Sequence, residues 1–136
     1  MNAKILLVDD DPEAIFLLKE LFYEEDLKIF SAANGWLGFM QAKKVKPDLI
    51  ISDLQMPIIN GYEFLVKVRQ DLSLAKTPFI LLSSYRNEEH RNRAFHLGAS
   101  AYLTKPVNFD FLLKIIEQEL AGEKLCETVG LIANIF

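Results

Sequence analysis

The chain has 136 residues, 51% of them apolar and 25% charged, with a net charge of −4. That suits one domain with a sizeable core, and the acidic balance argues against nucleic acid as a direct partner. The single cysteine, Cys126, excludes an internal disulfide and suits a reducing compartment. No secretory leader precedes the strand-like residues at Lys4, and no apolar run approaches the roughly 20 residues of a membrane span; the expectation is a soluble, cytoplasmic domain. Along the chain, strand-like runs at Lys4–Val8, Lys28–Ala32, Leu49–Ser52, Phe79–Ser83 and Ala101–Thr104 alternate with helix-like segments. The helices are expected near Pro12–Glu24, Gly35–Lys44, Tyr62–Gln70, Glu88–Leu97 and Phe109–Leu120. Five strand-then-helix repeats predict a parallel sheet with helices on both faces. The runs "ILLV", "LIIS" and "FILLS" are almost continuously apolar, as strands covered on both sides are.

Local punctuation agrees. Asp11 before Pro12 has the pattern of an N-cap with proline at the first helical position. Leu97-Gly98 reads as a helix end with a left-handed glycine. In the last helix, Phe109, Leu112, Leu113, Ile116 and Leu120 form the expected buried stripe. Phe111 and Ile115 then fall outside it, and Phe95 stands beside an inward Ala94.

In an open parallel sheet, ligands bind beyond the carboxyl ends of the strands, where the strand order reverses. Those ends carry Asp9, Asp10 and Asp11, then Ala32-Ala33, Asp53, Ser83-Ser84 and Lys105-Pro106. Carboxylates gathered at one rim repel each other unless a cation joins them. Oxygen ligands alone select a hard ion, Mg²⁺ or Mn²⁺, and the lack of a thiolate or histidine pattern argues against zinc. Asp11 is accounted for as a helix cap. A metal beside a lone aspartate, a hydroxyl and a lysine suggests phosphoryl transfer to the aspartate.

The segments "ILLVDDDP", "PDLIISDLQMPIINGYEFL", "TPFILLSS" and "GASAYLTKP" together resemble a response regulator receiver domain, from residue 4 to about 120. The resemblance implies a doubly wound, flavodoxin-like sheet of order 2-1-3-4-5. It makes Asp53 the phosphoacceptor, with Asp9, Asp10, Asp53 and the backbone carbonyl of Gln55 around Mg²⁺. Lys105, ahead of a cis proline, would pair with the phosphoryl group. Ser83 and Tyr102 would form the switch, although Tyr102 also reads as a half-buried strand residue. Gln55 and Tyr85 would tune the loss of phosphate, with Tyr85 either covering the phosphoryl group or turning to solvent. The implied donor is a sensor histidine kinase or histidine phosphotransfer protein. Phosphorylation would change the face formed by the fourth helix, fifth strand and fifth helix. There Phe95, Tyr102, Phe111 and Ile115 would meet a second copy or a downstream target, although isolated surface apolar residues are also ordinary.

Two departures stand out: Ser84 where alanine is commoner, and Ile58-Ile59 where small or polar residues are commoner. A Mg²⁺-dependent hydrolase with an Asp nucleophile would usually carry a second acid two residues on, where Gln55 stands. No glycine-rich phosphate cradle appears. A binding module independent of phosphorylation is the remaining alternative. On this reading the chain is a switch rather than an enzyme. Residues 1–122 form the receiver, and 123–136 form a tail or the start of a linker with an apolar end, "VGLIANIF".

Overall fold

The computed structural model describes residues 2–122. The elements run β1 (Ala3–Val8), α1 (Pro12–Leu21), β2 (Leu27–Ala32), α2 (Gly35–Val45), β3 (Leu49–Asp53), α3 (Gly61–Gln70), β4 (Phe79–Ser83), α4 (Glu88–His96), β5 (Ala101–Thr104) and α5 (Phe109–Leu120). The five strands are parallel in the order β2-β1-β3-β4-β5. The winding reverses between β1 and β3, and this places the crevice beside Asp9 and Asp53.

Alternation along each buried strand feeds two cores. Leu6, Val8, Ile50, Phe79, Leu81 and Tyr102 face α2, α3 and α4 through Ala42, Phe64, Leu65, Val68 and Ala94. Ile5, Leu7, Ile51, Ile80 and Leu82 face α1 and α5 through Leu18, Phe22, Leu112, Ile115 and Ile116. With apolar layers required on both sides, the strands read as unbroken apolar runs.

Each helix starts behind a side chain that accepts a backbone N–H: Asp11, Asn34, Asn60, Asn87 and Asn108. Such a cap satisfies one of the donors that a first turn leaves unpaired. Asn60 and Glu63 complete a reciprocal capping box. Gly98 has φ +103, the left-handed cap expected after α4.

Three expectations need correction. Helix α1 stops at Leu21 rather than Glu24, because Phe22 turns into the core beside Leu18 and Phe109. The buried stripe of α5 is rotated: Ile115 is 1% exposed and Leu113 only half-buried. Apolar residues flank Leu112 on both sides, so spacing alone could not choose the flank that the sheet takes. Tyr102 is fully buried rather than half-buried. The proposed tail lies outside the described residues.

Ile58 has φ 75 and is 75% exposed, in the loop before α3. A β-branched residue in the left-handed region costs about 1–2 kcal/mol, and this one recovers little by burial. Ile58→Gly is therefore expected to raise stability by about 1 kcal/mol, after allowing for the entropy that glycine adds to the unfolded chain. Urea unfolding measures it; a lower midpoint at unchanged slope would show that Ile58 makes a stabilising contact that outweighs its strain.

Candidate functional site

The rim at the carboxyl ends is assembled by register. Val8 pairs with Ser52, Asp53 with Leu82 and Ser83 with Thr104, so the residues that follow come out level. Asp9, Asp10 and Asp53 each offer a carboxylate oxygen within 4.8 Å of the others. Asp9 and Asp53 are only 6% and 8% exposed, whereas Asp10 faces solvent. Asp9 Oδ1 accepts the Asp11 N–H at 3.0 Å, and Asp11 itself caps α1 through Glu13. The cap and the acidic pair are therefore distinct parts of one loop.

Lys105, joined to Pro106 by a cis peptide bond, reaches into this cluster. Its Nζ lies 2.9 Å from Asp53 Oδ1 and 3.7 Å from Asp9 Oδ2. Burial alone would lower the lysine pKa, but the two carboxylates outweigh it and hold the ammonium above its ordinary value. Asp9 is shifted upward, first by burial and then by the charges of Asp53 and Asp10, against the Asp11 amide and Lys105. A carboxyl whose folded pKa is raised loses stability as pH climbs through its unfolded value and the site fills with charge. One ammonium does not balance three acids. The donor set, oxygen only and over-charged, fits a hard divalent cation.

A second layer surrounds the acids. The Ser83 hydroxyl accepts the Tyr85 N–H at 3.0 Å. The Gln55 amide donates to the Tyr85 hydroxyl at 2.7 Å, and its carbonyl oxygen accepts from Ser84 at 3.1 Å. Tyr102, buried beneath, donates to the Tyr85 carbonyl at 2.7 Å. All the residues predicted around the phosphoacceptor thus meet at one rim, and Tyr85 touches three of them: Ser83, Gln55 and Tyr102.

The predicted partner face comes together less completely. Phe95 and Phe111 are half-buried against the two cores, while Ile115 and Tyr102 are closed off from solvent. Sequence reasoning did not single out Tyr62, His90 or Ser84 as members of the network around Tyr85. It also passed over Arg91, a buried arginine in α4 that bonds Glu88 at 3.2 Å. The "NGY" signal around Asn60 does mark Tyr62 as the first inward residue of α3; nothing in the sequence pairs it with His90. No helix among the described residues is long and apolar enough to cross a membrane.

Residues 5–117 match the family model of the response regulator receiver domain. Protein PilH of Pseudomonas aeruginosa is 33% identical over 120 residues, which are 88% of this chain and 99% of PilH. The protein named "Probable transcriptional regulator ycf29" from Pyropia yezoensis is 33% identical over 93% of this chain, which spans only 57% of that relative. Among solved structures, the chemotaxis response regulator CheY4 of Vibrio cholerae is 31% identical with a TM-score of 0.80, covering 86% of this chain and 98% of that one. The receiver domain of a signal transduction histidine kinase from Syntrophus aciditrophicus is 29% identical with a TM-score of 0.82, covering 91% and 94%. Fold, strand order and matched span agree: the chain belongs to the receiver domain family of two-component response regulators, whose general function is that of a phosphorylation switch.

Proposed function

We infer that Asp53 accepts a phosphoryl group from a phosphohistidine, and that the chain passes this state to a partner. One observation carries the reading: the Lys105 ammonium stands 2.9 Å from Asp53 inside an acidic cluster that spans 4.8 Å. An Asp53 carboxylate oxygen attacks phosphorus, the P–N bond breaks, and its electron pair returns to the donor imidazole. Lys105 pairs with a phosphoryl oxygen, and the Ser83 hydroxyl donates a hydrogen bond to another. Asp9, Asp10, Asp53 and the backbone carbonyl of Gln55 would hold Mg²⁺, which would neutralise charge on the transferring group. The donor would be a sensor histidine kinase or phosphotransfer protein, in the cytoplasm. The output would be a target or second copy met through the α4–β5–α5 side. On this reading the chain promotes only its own phosphorylation and slow dephosphorylation. A hydrolase reading is weaker because Gln55 has no acid–base chemistry, and its amide is committed to Tyr85 and Ser84.

Incubation with a small phosphodonor and Mg²⁺ tests the reading. One acid-stable, base-labile phosphoryl group per chain is expected. Continuous turnover without a stable product would indicate a hydrolase, and no reaction at all would indicate a binding module.

The metal can be tested apart from the chemistry. A ligand that binds only the folded state at ten times its Kd adds about 1.4 kcal/mol. Mg²⁺ should therefore raise the unfolding temperature of the native chain and do so much less in Asp10→Ala. The variant alone should be no less stable without Mg²⁺, since one of three mutually repelling acids is gone. An equal Mg²⁺ effect in both proteins would remove Asp10 from the site.

A further inference from the structure

We propose that His90 is a positioning residue for the phosphorylated state: it holds the Tyr85 ring in place over the site and so ties the lifetime of the acyl phosphate to the placement of α4. The inference rests on the phosphorylation of Asp53 argued above and concerns residues outside that chemistry.

The His90 ring stacks on Tyr85, with centroids 4.3 Å apart and planes 9° from parallel. It lies parallel to Tyr62 as well, at 1° and 6.1 Å. Tyr62 is the fixed end of this array. It is buried in the core at the start of α3, and Arg93 lies 4.4 Å from its ring centre. Burial pushes its pKa up to about 12, so its hydroxyl stays protonated. That one proton goes to the His90 carbonyl at 3.0 Å. The Tyr62 oxygen also lies 2.8 Å from His90 Nδ1, within hydrogen-bond distance of the ring. One contact at the ring and one at the His90 backbone therefore tie this residue to Tyr62, and the stacked imidazole braces Tyr85. At its other end the Tyr85 hydroxyl accepts from Gln55, two residues after the phosphoacceptor.

Beyond the His90 stack, the Tyr85 ring is held at its tip by the Gln55 bond. It is partly exposed and borders a pocket of about 510 Å³ that Asp10, Gln55, Tyr62 and His90 also line. Without its stacking partner the ring can turn into that space. Water then gains the side of the phosphorus opposite the Asp53 oxygen. Attack there breaks the bond between phosphorus and that oxygen, returning the carboxylate and releasing inorganic phosphate.

The test phosphorylates the full chain with acetyl phosphate and Mg²⁺, removes the donor and follows decay. An aromatic pair of this kind corresponds to about a 2- to 10-fold change in rate. His90→Ala should decay faster by that factor, and His90→Phe, which keeps a flat ring, should restore much of the native lifetime. Tyr85→Ala should be at least as fast as His90→Ala, and the double variant no faster than Tyr85→Ala alone. Native-rate decay in His90→Ala with fast decay in Tyr85→Ala would overturn the role of His90 and leave the shield intact. Native-rate decay in Tyr85→Ala would overturn both. Failure of the native chain to take up phosphate would instead count against Asp53 phosphorylation itself. As a readout apart from turnover, the ring protons of His90 should lose their upfield NMR shift in Tyr85→Ala; an unchanged shift would mean that the rings do not stack in solution.

Discussion

Asp53→Asn is expected to abolish phosphorylation, cutting the rate by at least about 100-fold, while leaving the fold in place. The amide keeps the shape of the carboxylate but offers no anionic oxygen to attack phosphorus. Neither neighbouring acid is placed to substitute. Asp9 has one oxygen occupied by the Asp11 amide and lies farther from Lys105, at 3.7 Å against 2.9 Å for Asp53. Asp10 faces solvent and makes no ion pair with Lys105 within 4.0 Å. Stability should change by no more than about 1 kcal/mol. The variant loses the Lys105–Asp53 pair but also the repulsion between Asp53 and Asp9 that helps raise the Asp9 pKa. Intact mass after treatment with acetyl phosphate reads the outcome directly. A full phosphoryl increment on the variant would place the acceptor elsewhere and undo the assignment.

Much of this site can be read from the sequence because its parts sit at strand ends. A strand buried on both faces is a run of apolar residues, so "ILLV" and "LIIS" announce both their position and their termination. The polar residue that follows each run must then stand at the rim. Parallel pairing does the rest, bringing Asp9, Asp53 and Lys105 together across the sheet. The helix faces were harder to read. In α5 apolar residues occupy most of the circumference, and the choice between Leu113 and Ile115 was made by packing against α1 and the sheet. Side-chain contacts between the segments beyond the strand ends were not legible at all. Tyr62 and His90 lie 28 residues apart, and Gln55 and Tyr85 lie 30 apart. No periodicity links such pairs, because each is set by how two segments distant in sequence pass one another. The asparagine caps were a signal available but unused: Asn34, Asn60, Asn87 and Asn108 each stand one residue before a helix.

Gly61→Ala should be the most damaging small substitution in the loop that carries the site. A Cβ at this position would lie 2.6 Å from the carbonyl oxygen of Asp53, 2.7 Å from Leu81 Cδ2 and 2.8 Å from Leu54 Cα. Two of those three are backbone atoms and cannot swing aside. The Gly61 N–H also bonds the Leu54 carbonyl at 2.8 Å, which pins α3 against the end of β3. Accommodating one methyl group therefore means moving the backbone at Asp53 and Leu54. Overpacking of this kind costs about 3 kcal/mol, or about 10–15 °C in unfolding temperature for a domain of this size. Gly122→Ala is the contrasting case: nothing lies within 4 Å of its Cβ, and only the left-handed φ of +80 opposes it. That change should cost about 1 kcal/mol. Phosphorylation should separate the two as well, since only the Gly61 variant displaces the Asp53 carbonyl and, behind it, the Gln55 segment. Equal unfolding temperatures for the two variants would mean that the loop between β3 and α3 has slack, and that its glycine is not what holds Asp53 in position.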